Sequence, residues 1–504
     1  MPPQNTQDVL DALKAARQTP NDDLAKAFTQ SSSAVSGITA YSLEGPAKLL
    51  FPVLTPLRNK IPRVVGGVGI QANWRAVTGI DTSNAGIGVS EGNRGAVMSQ
   101  TTKDYLAAFK GLGMDNNVTF EADLAAKGFD DVKALAVRTL LEAVMLGEEK
   151  TILGGNTSLA LGTAATPTVA DGGAASGSLA FNTAYSTIIV ALTLDAYLSV
   201  NASATTPALP LSGTRTLADG TTESYNRGTS IKSTAASVTT ANDAVNTHSV
   251  TASWTPTVGA FAYAVFFGTA GSEKLNQVVT INSAKITATS VAGAQVAAAN
   301  FTADNSQNGL VFDGILTQIA TSGSGSYLAT QPTGVAGTGT GLTADTVGGV
   351  VEFNAALKAF WDGQKLSPDV IYVSSQEQAN LTKKILAGST TAAQRFVFKT
   401  DHDNVLGGSS VEAYMNPFSL DGNTTIPIKI HPFLPNGTVL FWKDKLPYPL
   451  ANVTSVVQML LRRDYYQIEW PQIRRKYEYG VYMDGVLQNF FPPAFGYITN
   501  IGNA

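Results

Sequence analysis

Three histidines and the acidic residues beside one of them are the first candidates for chemistry. His248, His402 and His431 are the only histidines of the chain, and none has a partner at the spacing of a metal site or a catalytic triad. Catalysis by histidine is therefore not expected. The run Asp401-His402-Asp403-Asn404 offers carboxylates to a cation, but it lacks the ligand periodicity of a calcium loop. We interpret it as a solvated turn.

Two glycine-rich runs have a superficial likeness to phosphate-binding loops. The run from Gly337 to Gly341 lacks the final glycine spacing and the Lys-Ser/Thr of a P-loop, and no helical pattern follows Gly66 to Gly69. Glu148 and Glu149 form a carboxylate pair within a helical pattern, but nothing in the sequence marks a cleft around them. The sequence therefore predicts a protein that is not an enzyme, with no catalytic residue, no metal site and no cofactor.

Clusters of basic residues could contact phosphates or pair with carboxylates of an adjacent subunit. The formal net charge of −4 argues against a dedicated nucleic-acid binder, whose phosphate contacts need a basic excess. We therefore favour pairing between subunits. With two residues of the hairpin described below, the candidate assembly contacts are Arg58, Lys60, Arg63, Trp74, Arg75, Arg474 and Arg475.

Length and composition indicate several domains with largely covered surfaces. The chain has 504 residues, of which only 14% are charged, and 47 glycines indicate many strands and turns. Cysteine is absent, so stability must come from burial or assembly. Residues 1–30 lack the charged and apolar regions of a signal peptide, and no run of 18 apolar residues occurs. We expect a protein made and kept in a cytoplasm.

The strongest helical signal runs from Phe129 to Gly155. Asp130 and Asp131 supply an N-cap and first-turn carboxylates, and Gly154 with Gly155 closes the helix. One face carries residues at the three-and-four spacing that needs a partner surface: Val132, Leu135, Ala136, Thr139, Leu140, Ala143, Val144 and Gly147.

The residues before this helix predict an arm, an extended lead and a long hairpin. Residues 1–40 contain a short amphipathic helix candidate and a polar run. Four prolines between Tyr41 and Ile80 then impose an extended path. Two strand-like stretches, Ile70 to Ala76 and Val97 to Phe109, flank a tip rich in glycine, serine and asparagine from Asp81 to Gly95. A hairpin of this length is hard to keep folded alone.

A separate β-domain is predicted between about residues 166 and 300, where charged residues almost vanish. Val250, Ala252 and Trp254 alternate before a Thr-Pro-Thr-Val-Gly turn, and alternation resumes from Phe261. This pattern resembles fibronectin type III and other immunoglobulin-like sandwiches. The predicted core residues are Trp254, Tyr263, Val265 and Phe267.

The remainder predicts a compact α/β unit followed by strands. Thr343 to Trp361 has a helical pattern, and Val370 to Val373 a short apolar strand. Ser374 and Glu377 form a capping box that opens the next helix, through Leu386. The last segment, from Val453 to Ile501, is rich in strands with basic and aromatic residues.

In this order of elements, the chain resembles the major capsid protein of tailed bacteriophages. The resemblance covers residues 41–160 and 309–504, and its most recognisable parts are IPRVVGGVGIQANWRAVTGI and MLGEEKTILGGN. It implies an α+β capsid fold with an inserted immunoglobulin-like sandwich. The implied domains are the N-terminal arm (1–60), the extended hairpin loop (61–120), the peripheral domain with its spine helix (121–165), the insertion (166–300), the axial domain (301–452) and the C-terminal peripheral strands (453–504).

The resemblance also implies function and partners. Such a protein self-assembles as hexamers and pentamers into the icosahedral shell of a virion, in the host cytoplasm, around double-stranded DNA. Expected partners are a portal, a separate scaffolding protein and decoration proteins, with glycans or a host surface for the insertion. Lys103 and Lys110 lie in the hairpin region, but no asparagine partner for a crosslink is evident. The alternatives are a tail-tube or baseplate protein and a glycan-binding adhesin.

Overall fold

The computed structural model describes residues 50–81, 87–128, 130–217, 220–297, 300–345, 348–387, 400–401, 404–405, 410–419, 422 and 424–502. The predicted arm of residues 1–40 and His402 lie outside these residues. The helices are α1 Pro56–Lys60, α2 Phe120–Ala126, α3 Val132–Gly154, α4 Leu194–Leu198, α5 Ile315–Ala320, α6 Val351–Gln364 and α7 Ser375–Ala387, with a 3₁₀ turn at Pro492–Ala494.

The strands of the first half of the chain are β1 Arg63–Val65, β2 Gln71–Asp81, β3 Ser99–Ala108, β4 Lys110–Thr119, β5 Thr168–Asp171, β6 Ala184–Leu192, β7 Ser212–Thr216, β8 Thr222–Asn226, β9 Ala236–Thr239 and β10 Val250–Ser253. Those of the second half are β11 Ala262–Gly268, β12 Lys274–Val279, β13 Ser283–Ile286, β14 Tyr327–Thr330, β15 Val370–Val373, β16 Thr400–Asp401, β17 Asn404–Val405, β18 Ala413–Asn416, β19 Thr424–Ile430, β20 Val439–Trp442, β21 Val457–Glu469, β22 Lys476–Asn489 and β23 Gly496–Thr499. Helices and strands are thus mixed, in agreement with the predicted α+β class.

The chain divides into two compact units. The smaller comprises Met1–Pro52 and Val118–Leu135, and the larger comprises Val53–Asn117 and Ala136–Ala504. In the smaller unit, the Thr119 hydroxyl accepts a hydrogen bond from the Ala122 N–H and caps α2. Lys133 forms an ion pair with Asp123 at 3.0 Å. Among the helices of the described residues, none is both long and apolar enough to cross a membrane.

The long helix α3 confirms the strongest prediction from the sequence. The Asp131 carboxylate accepts the Ala134 N–H at 3.0 Å, as expected of an N-cap, and the helix ends at Gly154. Its buried face follows the three-and-four spacing, so the stripe is used for packing. The buried residues are Ala136, Leu140, Val144, Glu148, Glu149, Ile152, Leu153 and Gly154.

The predicted hairpin is present as the two-stranded ribbon β2–β3, in which Gln71 pairs with Ala108 and Asp81 with Ser99. A separate four-stranded sheet has the order β1-β21-β22-β4. In this sheet β1 runs parallel to β21, with Arg63 opposite Met459. A strand near the start of the second unit is therefore held by the C-terminal segment.

A six-stranded mixed sheet, in the order β14-β23-β20-β15-β19-β18, forms the α/β unit with α6 and α7. The helix predicted from Thr343 starts only at Val351, so that boundary was wrong. The reason is a turn, in which the Asp345 carboxylate accepts the Gly349 N–H at 2.7 Å and Gly348 has a φ of 101°. One of the two hydrogen bonds of the predicted capping box is confirmed, since the Ser374 hydroxyl accepts the Glu377 N–H.

Two antiparallel sheets, β13-β10-β5 and β12-β11-β6-β9, pack face to face in the predicted β-domain. All four predicted core residues are buried there: Trp254, Tyr263, Val265 and Phe267. The prediction of a single aromatic face was incomplete. The alternate residues of β11 are buried too, because Phe266 packs in a second core with Phe301 and α4.

The chain enters and leaves this β-domain at adjacent points. The Asn308 N–H donates to the Asn156 carbonyl at 2.7 Å, and the Gly314 N–H donates to the Gly155 carbonyl at 2.8 Å. The sandwich is also joined to the six-stranded sheet, because Asn282 and Asn500 exchange hydrogen bonds of 2.7 and 2.9 Å. The β-domain therefore leaves and rejoins the rest of the chain at neighbouring residues, and it makes buried contacts with the rest of its unit.

Candidate assembly surface

The ribbon β2–β3 carries large apolar side chains that nothing in the described chain covers. Val77 and Ile80 are each 59% exposed, Leu106 is 73% exposed, and Ile70 at the base is 81% exposed. A two-stranded ribbon is only marginally stable by itself in water. Exposed apolar side chains on so thin a ribbon point to a contact with a partner. Along the strands, the Arg75–Asp104 pair lies between Leu106 and Val77.

Trp74 fastens the base of the ribbon to the body of the unit. Its ring stacks on Tyr105 with centroids 5.7 Å apart and meets the edge of Phe490 at 6.2 Å. The indole N–H donates to the Asn489 carbonyl at 3.2 Å. Trp74 is half-buried and borders a cavity of about 480 Å³ between the ribbon and the body. The predicted anchor therefore makes contacts inside the chain and also borders accessible space.

Arg75, the second predicted hairpin contact, forms a cross-strand ion pair with Asp104. Both side chains are about two-thirds exposed. The hydrogen bond from Arg75 lowers the pKa of Asp104 below its ordinary value. An exposed pair of this kind adds little stability, so both groups are accessible to a partner.

Three basic residues that were predicted as contacts between subunits, Arg58, Lys60 and Arg63, contact side chains of the same chain. Glu148 accepts a hydrogen bond from Arg58 Nε at 3.2 Å and from Arg63 Nη1 at 2.6 Å. The Tyr465 hydroxyl also bonds to Glu148, and Arg63 reaches Asp464 at 2.6 Å. Burial alone would lower the pKa of Arg63, but its bonds to Asp464 and Glu148 raise the pKa above the ordinary value.

Lys60 is likewise engaged inside the chain. Its ammonium group lies 2.9 Å from the Asp444 carboxylate. It also lies 5.7 Å from the centroid of Tyr372 and 5.6 Å from that of Trp442, within the range of cation–π attraction. Three basic residues of one short segment are thus bound by groups of the same chain.

Glu149 is the functional residue that sequence reasoning underrated. Its carboxylate accepts the Leu57 N–H at 2.9 Å, the Arg58 N–H at 2.7 Å and His431 Nε2 at 2.8 Å. The Nδ1 atom of His431 accepts the Phe433 N–H, so Nε2 carries the proton shared with Glu149. A signal was present in the sequence, because two consecutive glutamates in an apolar helix must be paired if they are buried.

The remaining predicted contacts lie apart from this cluster in the chain. Arg474 and Arg475 are exposed in the loop that joins β21 to β22. The hairpin lysines are engaged locally, since Lys103 Nζ donates to the Gly323 carbonyl and Lys110 Nζ to the Gly309 carbonyl. The structure therefore brings Arg58 and Arg63 together on one carboxylate and leaves the arginines of the loop at the surface.

His248 lies in the sandwich between two carboxylates, with Nε2 2.9 Å from Asp243 and Nδ1 3.1 Å from Asp171. The bonds to Asp243 and Asp171 raise the pKa of His248 above its ordinary value. Within the described ranges, no group of three or more acidic or histidine side chains is placed to hold a metal ion. This arrangement ties the loop around Asp243 to β5.

No protein-family model matches the sequence, and no curated protein matches it. Solved structures similar to the chain include the capsid of a native GTA particle, with a TM-score of 0.40 and 8% identity over 94% of this chain and 100% of that chain. The cyanophage A-1(L) capsid gives a TM-score of 0.38 and 11% identity over 92% of this chain and 97% of that one. The major capsid and decoration proteins of Phage G give 0.35 and 7% over 94% and 99%. All three are capsid structures, and their TM-scores lie below 0.5.

Proposed function

We propose that this chain is a structural subunit of a closed shell, with the ribbon β2–β3 as its main contact to a neighbouring copy. The observation that carries the proposal is the row of exposed apolar side chains on a ribbon too thin to bury them itself. A shell built from one repeated chain needs such a projecting element, because each copy must cover apolar surface of the next.

In finer terms, the shell is the icosahedral capsid of a tailed bacteriophage, assembled from hexamers and pentamers in the host cytoplasm. It encloses double-stranded DNA and works with a portal and a separate scaffolding protein, and decoration proteins bind it from outside. The resemblance of the sequence supports this proposal. The role is structural, and the proposed task of the chain is to close a shell by its geometry.

The assembly residues divide into two groups under this proposal. Trp74 holds the ribbon in position at its base, and the exposed Arg75–Asp104 pair is accessible to a neighbouring copy. Arg474 and Arg475 contribute charge to an exposed loop. Arg58, Lys60 and Arg63 act indirectly, because their charged groups fix the lead from which the ribbon emerges.

The sandwich adds a second proposed role, weak adhesion to glycans or a host surface. A groove of about 540 Å³ on this domain is bordered by Lys285 and apolar residues, and by amide and hydroxyl side chains, among them Asn201, Ser203, Asn276 and Gln277. Neutral donors and acceptors of this kind suit a ligand rich in hydroxyl groups. Many copies on one shell would turn a weak single contact into avidity.

The test of the shell proposal is electron microscopy of the purified protein, alone and with a scaffolding protein. The variant Val77→Asp/Ile80→Asp places two charges on the exposed apolar row and should fold normally but form no shells. The matched control is Val258→Asp, which changes a valine that is 52% exposed in the sandwich. Wild-type protein that stays monomeric with scaffold, or makes only open tubes, would contradict the proposal, as would normal shells from the double variant.

A further inference from the structure

The short stretch Thr55–Val65, here called the lead segment, is attached to the rest of its unit at several points. Leu57 and Ile61 are buried, four residues apart, on one side of α1. The flanking residues on both sides are exposed: Leu54 is 57% exposed and Val68 is 82% exposed. The lead segment is therefore more deeply buried than the residues on either side of it, although Gly66 and Gly67 still donate to the Leu461 carbonyl.

The N-terminus of α1 is capped from a distance. Thr55 occupies the N-cap position, but its side chain makes no capping hydrogen bond. The carboxylate of Glu149 takes the N–H groups of Leu57 and Arg58 instead. A helix of five residues cannot persist by itself in water, so α1 depends on this contact with α3.

The neighbouring carboxylate holds the side chains of the same segment. Glu148 pairs with Arg58 and Arg63, and its own side chain is fully buried. Consecutive residues on a helix point about 100° apart, so Glu148 and Glu149 act on different groups of the lead segment. Backbone capping and side-chain pairing thus both depend on two adjacent negative charges.

Most charged contacts of the lead segment depend on two carboxylates, so the loss of one charge weakens several contacts at once. Removing the charge of either glutamate leaves cations or helix N–H groups without a full partner, which is costly in a buried setting. The groups facing the pair are Arg58, Arg63, Tyr465 and His431, with Asp464 behind Arg63. Neutralisation should therefore weaken the docking of the lead segment, of which β1 also pairs with β21, while α3, which is held by its apolar face, stays folded.

We propose that the lead segment is a releasable strap whose docking on α3 is controlled by Glu148 and Glu149. Release changes the position from which the ribbon β2–β3 leaves the body, and so regulates the surface that a neighbouring copy meets. This role in regulation rests on the shell function proposed above, whereas the strap itself is a property of the single subunit.

Hydrogen exchange of the full, unassembled chain tests the strap. In the wild type, amides of residues 55–65 should exchange through an opening that leaves Ile152 and Leu153 protected. Glu149→Gln should lower the protection of the Leu57 and Arg58 amides by about tenfold or more, which is the loss expected for hydrogen bonds to a charged group. Trypsin should then cut faster after Arg58 and Arg63.

The matched control is Glu142→Gln, which changes a glutamate of the same helix that pairs with Arg138 near the surface. It should leave the protection of residues 55–65 unchanged. Equal protection in Glu149→Gln and wild type would overturn the strap, and so would loss of protection in α3 and the lead segment at the same time. Because no shell is needed for this measurement, a strap that opens in a protein that forms no shells would contradict only the proposed function.

Discussion

Truncation of Trp74 should open the base of the ribbon. The change Trp74→Ala removes two aromatic contacts, each worth about 1 kcal/mol beyond area burial. It also removes the hydrogen bond to the Asn489 carbonyl, worth about 1 kcal/mol. The ring is only partly buried, so the loss should lie at the lower end of the core range of about 3–5 kcal/mol. We expect a loss of about 3 kcal/mol in the local free energy of opening.

The assay is hydrogen exchange of the β2 and β3 amides, because the ribbon can open without global unfolding. Trp74→Phe keeps an aromatic ring but has no N–H, so it should lose only about 1 kcal/mol. Val77→Ala is the matched control on the same strand, and its side chain is already 59% exposed. An effect of Trp74→Ala no larger than that of Val77→Ala would refute the reasoning that the indole fastens the ribbon.

Three further predictions concern the helix, a buried glutamate and the sandwich. Leu140→Pro should prevent soluble folding, since an interior proline costs about 3 kcal/mol or more before packing is counted, and normal yield of soluble protein would contradict the role of α3. Burial raises the pKa of Glu377 to about 7, so thermal stability should fall as pH rises from the unfolded value near 4.5 towards 7, and Glu377→Gln should flatten this decline. Replacement of residues 159–306 by a short Gly/Ser linker should leave shells forming but reduce adhesion to glycan-coated surfaces, and failure of assembly by a folded subunit would make the sandwich a lattice contact.

Elements with local signals could be predicted from the sequence. Asp131 and Gly154 mark the two ends of α3, and the alternation around Trp254 marks the strands of the sandwich. The start of α6 was misplaced because the turn that excludes Asp345 from the helix depends on its own side chain and Gly348. This error of eight residues arises where turn chemistry competes with helical periodicity.

The contacts of the carboxylate pair could not be predicted in the same way. Glu149 and His431 are 282 residues apart in sequence, and no periodicity relates them. Arg58 and Arg63 were predicted to pair with carboxylates of an adjacent subunit, whereas in this chain both contact Glu148. Sequence alone does not tell whether such a carboxylate belongs to the same chain. Pairing over such separations is decided by the fold.

The chain enters and leaves the sandwich at adjacent residues after α3, so this position could accept a different domain. The Asn308 N–H donates to the Asn156 carbonyl, so a short linker is enough to join the two chain ends. A domain whose own termini lie close together could be spliced in here without moving α3 or α5. The Asn282–Asn500 contact would have to be replaced on the facing side. A change of the β-domain can therefore leave the path of the chain between α3 and α5 as it is.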